Sequence, residues 1–243
     1  MGSGRLALIG RRALFAAGRV ALIAGLCALS AHAQETDGPG ETIVVTPTRA
    51  PGVASDSPSP VDVVRRRELQ EHKSLDETLR NDPSFEAFRR SSSLVADPSS
   101  QGVNLRGIGP SGVSRALVLQ DGIPVNDGFG GWVYWGSLPR LSLQRVEIAP
   151  GGASGLYGSA ALGGVVQLVS RPIEDRGELE LSGGSFGTAD GALSLGKRFS
   201  DLLALALDAE GLTTSGYPVI AAPGPIDHDA SSRRGNAQLR LES

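Results

Sequence analysis

The sequence from Leu143 to Pro172 reads L-Q-R-V-E-I-A-P-G-G-A-S-G-L-Y-G-S-A-A-L-G-G-V-V-Q-L-V-S-R-P. Two β-branched runs, Val146 to Ile148 and Val165 to Val169, flank a segment built almost entirely from glycine, alanine and serine. Glycine reaches positive φ and lets backbones approach closely. We therefore interpret the stretch as two strands joined by a tight excursion of small residues, and we expect another part of the protein to pack against that excursion.

The N-terminal end predicts export from the cytoplasm. Residues 1–33 combine a basic region with the short apolar run Val20 to Leu29 and the A-x-A sequence Ala31-His32-Ala33, which is the pattern of a cleaved signal peptide. A membrane anchor is the alternative, but the apolar run is shorter than the roughly 20 residues of a spanning helix. Cleavage before Gln34 removes Cys27, the only cysteine, so we expect no disulfide and no Cys-ligated metal in the mature chain.

The charge balance argues against a nucleic-acid partner. Removing the leader's arginines from the 23 basic residues leaves 19, against 26 acidic residues in the whole sequence, whereas nucleic-acid surfaces are basic. Nothing after the leader predicts a membrane-spanning helix. Transmembrane β-strands give a weaker, alternating signal, so a membrane location stays open.

An isolated β-branched run follows the leader. Glu41-Thr42-Ile43-Val44-Val45-Thr46 ends at Pro47, and the residues from Thr48 to Pro60 are rich in proline, glycine and serine. The run has no neighbouring strand in the sequence, so it is suited to joining the sheet edge of another protein. An ordinary first strand of the domain is the alternative.

The next residues predict scaffold. Pro60 to Val64 indicates a strand, and Arg65-Arg66-Arg67 indicates a solvated turn. Ser74 to Glu77 has the form of a capping box, with Leu75 and Leu79 one helical turn apart. We predict a short helix that ends near Pro83.

Two motifs with a chemical meaning fail on context. Gly107 to Gly112 matches G-x-G-x-x-G, but the next run, Ala116 to Leu119, predicts a strand where a dinucleotide site needs a helix. Ser185 lies in the G-x-S-x-G sequence Gly183 to Gly187, but a hairpin turn and a second strand follow, whereas a nucleophile elbow leads into a helix. An esterase using Ser185 is thus a minor alternative, and we expect neither an enzyme nor a cofactor.

The segment Asn126 to Trp135 contains both tryptophans of the chain. Aromatic side chains on a glycine-rich segment favour an exposed apolar platform. The alternative is that Trp132 and Trp135 fill a local core, and the residues alone do not decide between the two.

Several of these pieces occur in an order that resembles the plug domain of TonB-dependent outer-membrane receptors. The elements that carry the resemblance are Glu41 to Pro47, Leu75 to Pro83, Asn104-Leu105-Arg106-Gly107, Val118 to Pro124, Val146-Glu147-Ile148 and Ser154 to Val165. The resemblance implies an α+β plug domain, a small mixed sheet with short helices, followed by the first antiparallel strands of a large transmembrane β-barrel. It divides the chain into a signal peptide (1–33), a TonB box and linker (34–55), a plug (56–172) and barrel strands (173–243).

The resemblance also implies roles for individual residues. Glu41, Thr42, Ile43, Val44, Val45 and Thr46 correspond to the TonB box. Arg106 and Arg145 stand where plug arginines pair with barrel glutamates on later strands, and surface positions are the alternative. We expect residues 91–100 and 126–135 at a ligand-facing apex, with ligand contacts from Phe129, Trp132, Tyr134 and Trp135.

Downstream of Pro172 the pattern changes to strict alternation. Leucines alternate with small or polar residues at Leu179 and Leu181, Leu193 and Leu195, Leu203 to Leu207, and Leu239 and Leu241. This predicts strands with lipid on one side and a wet lumen on the other; a soluble antiparallel sheet gives the same pattern. Thr214 to Ser232 predicts a long extracellular loop. Four strands do not close a barrel around a plug, so we expect a truncated chain.

The implied function is active uptake of a scarce ligand, a ferric siderophore, cobalamin or similar compound. The expected partners are TonB of the inner-membrane energising complex, that iron-chelate or cobalamin-type ligand, and outer-membrane lipid. A soluble periplasmic binding or signalling fragment without transport activity is the alternative function.

Overall fold

The computed structural model describes residues 43–44, 52–53, 60–88, 92–95, 97, 101–108, 114–218, 220, 224–225 and 227–242. These residues belong to one compact unit, Glu41–Ser243. The predicted signal peptide lies outside the described residues. Within the described part of the chain, no helix is both long and apolar enough to cross a membrane.

The first described element lies in the predicted docking segment. Strand β1 (Ile43–Val44) pairs antiparallel with β2 (Gly52–Val53), with Val44 opposite Gly52. The expectation that this run has no neighbouring strand is therefore wrong for Ile43 and Val44. The two glycine- and proline-flanked runs are close enough in sequence to form a short ribbon.

A mixed sheet forms the centre of residues 60–172, which we call the mixed-sheet domain. Its strands are β3 (Asp62–Arg65), β6 (Ala116–Gln120), β7 (Ile123–Pro124), β8 (Leu143–Pro150) and β9 (Gly164–Ser170). They form a five-stranded sheet in the order β3-β8-β9-β6-β7, in which only β6 and β9 are parallel. A separate pair, β4 (Phe85–Ala87) and β5 (Val103–Leu105), is antiparallel.

The central strands confirm the interpretation of residues 143–172. β8 and β9 pair antiparallel, and Val146, Ile148 and Val166 are buried in the core between the sheet and the helices. The helices are α1 (Arg66–Leu69), α2 (Leu75–Leu79) and α3 (Ser154–Tyr157). The excursion between β8 and β9 is more than a turn, because it contains helix α3 and the 3₁₀ turn Ser159–Ala161.

The packing expected over the excursion is present in part: Ala161 packs with Leu117 and Leu119 of β6, and Ala153 and Tyr157 pack against the same cluster. A side chain at Gly164 would collide with the carbonyl of Ala149, and its φ is +134°. Gly152, Gly155 and Gly158 instead face open space among the described residues. The small residues are therefore needed for strand pairing at Gly164, while most of the excursion is exposed in this chain.

Two predictions about the first helices need correction. Helix α2 begins after Ser74 as predicted, but the Ser74 hydroxyl makes no capping bond; it donates to Asp76 Oδ1 at 2.6 Å. The arginine run is not a solvated turn either. Arg66 begins α1 and donates to the backbone carbonyls of Leu141 and Leu143, because its position in α1 turns it toward β8.

The remaining strands form a second, antiparallel sheet in the order β10-β11-β12-β13, which we call the four-stranded sheet. They are β10 (Arg176–Gly184), β11 (Thr188–Ser200), β12 (Leu203–Thr214) and β13 (Ser232–Glu242). The alternation is confirmed: leucines such as Leu181 and Leu239 are exposed on one face, whereas Ser194, Ala206 and Asp208 are buried on the other. The predicted loop between Thr214 and Ser232 connects β12 to β13.

Candidate functional site

The aromatic segment presents three side chains at the surface of the mixed-sheet domain. Phe129 is 97% exposed and Tyr134 is also exposed, while Trp132 is partly exposed. The indole Nε1 of Trp132 donates to the Tyr134 hydroxyl at 2.8 Å. The hydrogen bond fixes the two rings relative to each other and leaves apolar surface open beside them.

The turn before these rings is held by polar side chains. Asp127 Oδ1 accepts hydrogen bonds from the backbone N–H groups of Phe129 and Gly130, both at 2.9 Å. The indole of Trp132 occupies the space that a side chain at Gly130 would fill. Glycine at 130 is therefore required for the observed position of the Trp132 ring.

Trp135 does not belong to this exposed group. It is 3% exposed and packs edge-on against Phe85, with ring centroids 5.9 Å apart. The predicted ligand contact at Trp135 is wrong, because the residue starts a 3₁₀ turn whose side chain points into the core. Of the two interpretations of the segment, the exposed platform fits Phe129, Trp132 and Tyr134, and the core fits Trp135.

The other predicted apical segment is described at residues 92–95 and 97. Its residue Ser93 is 3% exposed, and both its hydroxyl and its backbone N–H donate to the carboxylate of Asp76. Asp76 is itself 2% exposed and also lies 3.4 Å from Arg80 Nη2. The segment is thus held by a buried carboxylate on α2.

Charged contacts join the mixed-sheet domain to the inner face of the four-stranded sheet. Arg66 Nη2 lies 2.5 Å from Glu178 Oε2, and Arg171 Nη1 lies 3.0 Å from the same oxygen. Arg140 pairs with Glu180 through its guanidinium, and its backbone N–H donates to Glu210 Oε1 at 2.7 Å. Three arginines of the mixed-sheet domain therefore contact carboxylates on β10 and β12.

Arg106 and Arg145 have different surroundings in the described structure. Arg106 is exposed after β5 with φ at +52°, and Arg145 pairs at 2.8 Å with the fully buried Glu147 on its own strand. Burial raises the pKa of Asp62, and Asp82 adds to the rise while Arg106 opposes it. The pairing of Arg106 and Arg145 with glutamates on later strands stays a prediction.

Sequence reasoning missed the arginines that do make such contacts. Arg66 is the middle residue of three consecutive arginines, and nothing in the sequence distinguishes it from its neighbours. Arg140 follows a proline and Arg171 precedes one, and neither lies in a recognisable motif. The sequence signal for these contacts lies in the carboxylate partners. Glu178 and Glu180 alternate with Leu179 and Leu181 in β10, so the period of two places both glutamates on the face opposite the leucines.

The two rejected motifs lie in the contexts predicted for them. Residues 109–113 are outside the described residues, and the element that follows them is strand β6. Ser185 is exposed in the hairpin turn between β10 and β11. Of the docking residues 41–46, the backbones of Ile43 and Val44 are described, and the other four lie outside the described residues.

Comparison with known proteins points to one family. The family model for the TonB-dependent Receptor Plug Domain matches residues 53–165. The vitamin B12 transporter BtuB of Vibrio cholerae is 28% identical over 219 residues, which cover 86% of this chain and 33% of the transporter. The chain spans about a third of the length of the curated relatives it matches.

Solved structures share the fold. The ferric yersiniabactin uptake receptor FyuA of Yersinia pestis matches with a TM-score of 0.55 and 20% identity, over 78% of this chain and 30% of the receptor. A variant of the ferric enterobactin receptor PfeA of Pseudomonas aeruginosa matches with a TM-score of 0.51 and 19% identity, over 71% of this chain and 26% of the receptor. The family match, the relative and these folds agree with the mixed sheet and short helices described above, and residues 53–165 are a TonB-dependent receptor plug domain.

Proposed function

We propose that this chain acts in an outer-membrane receptor for energised uptake of a scarce ligand, a ferric siderophore, cobalamin or a similar compound. The observation that carries the proposal is the two-sided four-stranded sheet. Its outer face is a band of exposed leucines, and its inner face is small or charged and contacts a plug domain through Glu178, Glu180 and Glu210. Such a sheet suits lipid on one side and a plugged lumen on the other.

The ligand is proposed to bind at the exposed aromatic group. Phe129, Trp132 and Tyr134 offer apolar surface on a turn held by Asp127. Aromatic side chains bury a large area with few rotatable bonds. The names of the relatives, a vitamin B12 transporter and receptors for ferric yersiniabactin and ferric enterobactin, support large chelates as the ligand class.

Residues 41–46 are proposed to engage TonB by strand addition. The two-residue pairing of Ile43–Val44 with Gly52–Val53 offers a short ribbon that an added strand can extend or replace. The inner-membrane complex would then use the proton motive force to displace part of the plug. No covalent chemistry is required of this chain, in keeping with relatives that are named as a transporter and receptors.

An uptake assay tests the proposal. The gene is deleted from its native host and restored in trans, and cells are given a panel of labelled cyanocobalamin, ferric enterobactin and ferric yersiniabactin. We expect accumulation of at least one compound to require the gene and to stop when an uncoupler dissipates the proton motive force. Gene-independent accumulation of all three compounds would overturn these ligand classes.

Fractionation separates this function from that of a soluble periplasmic fragment. A receptor sediments with the outer membrane and migrates differently on electrophoresis with and without heating. A soluble periplasmic pool of the protein, together with gene-independent uptake, would favour the fragment.

A further inference from the structure

Arg234 of β13 reaches from the four-stranded sheet to two parts of the plug domain, the 92–95 segment and Gly136. Its Nη1 donates to the backbone carbonyl of Ser93 at 2.7 Å. The guanidinium also occupies the space that a side chain at Gly136 would fill. One side chain therefore touches the 92–95 segment and the 3₁₀ turn Trp135–Ser137, which directly follows the exposed aromatic residues.

The surroundings of Arg234 are fixed on both sides. Ser93, whose carbonyl it contacts, also donates its hydroxyl and its backbone N–H to the buried carboxylate of Asp76. The next inward-facing residue of β13, Asn236, donates through Nδ2 to the carbonyl of Gly136 at 2.6 Å. A charged donor to a carbonyl in a partly buried site is stronger than a neutral hydrogen bond.

Burial of the Arg234 guanidinium works against its charge, and carboxylates of the plug domain and of the four-stranded sheet offset part of that cost. Asp76 and Glu77 of α2, and Asp190 and Glu210 of the four-stranded sheet, act favourably on its guanidinium.

We propose that Arg234 is a positioning residue for the ligand-binding surface, which fixes the 92–95 segment and the 135–137 turn relative to each other. The proposal rests on the proposed function for its link to ligand binding. It goes beyond that function because it assigns the geometry of the surface to a side chain of the four-stranded sheet, outside the aromatic segment proposed to bind the ligand.

The chain offers a matched control and a second variant. Arg233 precedes Arg234 on the same strand, carries the same charge, and is exposed on the opposite face. The second variant, Gly136→Ala, keeps Arg234 but adds a methyl group in the space that the guanidinium occupies. Alanine adopts the backbone conformation of Gly136, so the substitution does not strain the backbone.

Hydrogen exchange of the receptor, purified from its native host in detergent, tests the positioning without any ligand. We expect Arg234→Gln and Gly136→Ala to raise amide exchange of residues 92–95 and 135–137 by about ten-fold or more, and Arg233→Gln to leave both unchanged. Arg234→Lys, which keeps a charged donor, is expected to restore part of the protection. Unchanged exchange in a folded Arg234→Gln receptor would overturn the proposal, as would equal effects at residues 233 and 234.

Ligand binding by the same variants tests the consequence. For whichever compound of the uptake panel binds the wild-type receptor, we expect roughly ten-fold weaker binding in Arg234→Gln and Gly136→Ala and wild-type binding in Arg233→Gln. If no panel compound binds wild type, the proposed ligand classes fail while the exchange result still decides the role of Arg234. If Arg234→Gln does not fold, Gly136→Ala decides, and wild-type exchange and binding in that variant would contradict the inference.

Discussion

The guanidinium of Arg66 lies 2.5 Å from a carboxylate oxygen of Glu178, and this contact joins the first helix of the plug domain to the first strand of the four-stranded sheet. Both side chains are mostly shielded from water. Arg66 also donates to the backbone carbonyls of Leu143, the first residue of β8, and of Leu141 just before it. The contact therefore connects α1, β8 and β10.

We predict that Arg66→Ala lowers the free energy of unfolding by about 1–2 kcal/mol, because Glu178 retains only Arg171 as a close ionic partner among the described residues. The midpoint of thermal unfolding in detergent measures the change. Arg67→Ala, at the exposed neighbouring position, is the matched control and is expected to unfold like wild type. Equal midpoints for Arg66→Ala and wild type would contradict the importance of the contact.

The burial of Trp135 and the exposure of Phe129 predict opposite phenotypes. Trp135→Ala removes a core ring next to Phe85 and is expected to cost about 3–5 kcal/mol of stability. Phe129→Ala is expected to leave stability unchanged within about 0.5 kcal/mol and to weaken ligand binding. Unfolding and binding measured on the same two variants separate these effects; a Trp135→Ala receptor with wild-type stability would contradict the assignment to the core.

Gly130 predicts a specific effect on the Trp132 ring. A methyl group in Gly130→Ala takes the space of the indole, so the ring must move and its hydrogen bond to Tyr134 is lost. We expect a shift in tryptophan fluorescence and several-fold weaker ligand binding, by about 1 kcal/mol. Gly128→Ala has open space around the new methyl group and is expected to behave as wild type; similar spectra for both variants would count against the described ring position.

The surroundings of Ser185 predict the absence of serine chemistry there. The residue is exposed in a hairpin turn, and a nucleophile elbow requires a helix after the serine. A fluorophosphonate probe is expected to label wild type and Ser185→Ala equally weakly. Strong labelling that disappears only in Ser185→Ala would indicate an enzyme.

The sequence predicted the elements of the fold better than the contacts between them. Alternating leucines identified β10 to β13 because the side-chain period of a strand is two, and β-branched runs identified β8 and β9. Trp135 was misassigned, since a 3₁₀ turn in a glycine-rich segment has no long period that would reveal which side chain points inward.

The contacts of Arg66 and Arg234 could not be predicted from the sequence, for a different reason. Their partners Glu178 and Ser93 are far away in the chain, and both pairings exist only once the plug domain packs against the four-stranded sheet. The Ser74 capping bond is absent because the Ser74 hydroxyl donates to Asp76 instead. The buried carboxylate of Asp76 accepts hydrogen bonds from both Ser74 and Ser93, and no local sequence pattern indicates this.

In the proposed function, energised uptake depends on strand addition at residues 41–46, and a proline in that segment tests this step most directly. Val44→Pro removes a backbone donor from the β1 ribbon, while Ser57→Pro adds a proline to the stretch from Thr48 to Pro60, which is already rich in proline. The measurement is gene-dependent accumulation of the panel compound in cells, alongside its binding to isolated outer membranes. The account predicts that Val44→Pro binds ligand like wild type but accumulates none, and that Ser57→Pro does both; wild-type accumulation by Val44→Pro would contradict it.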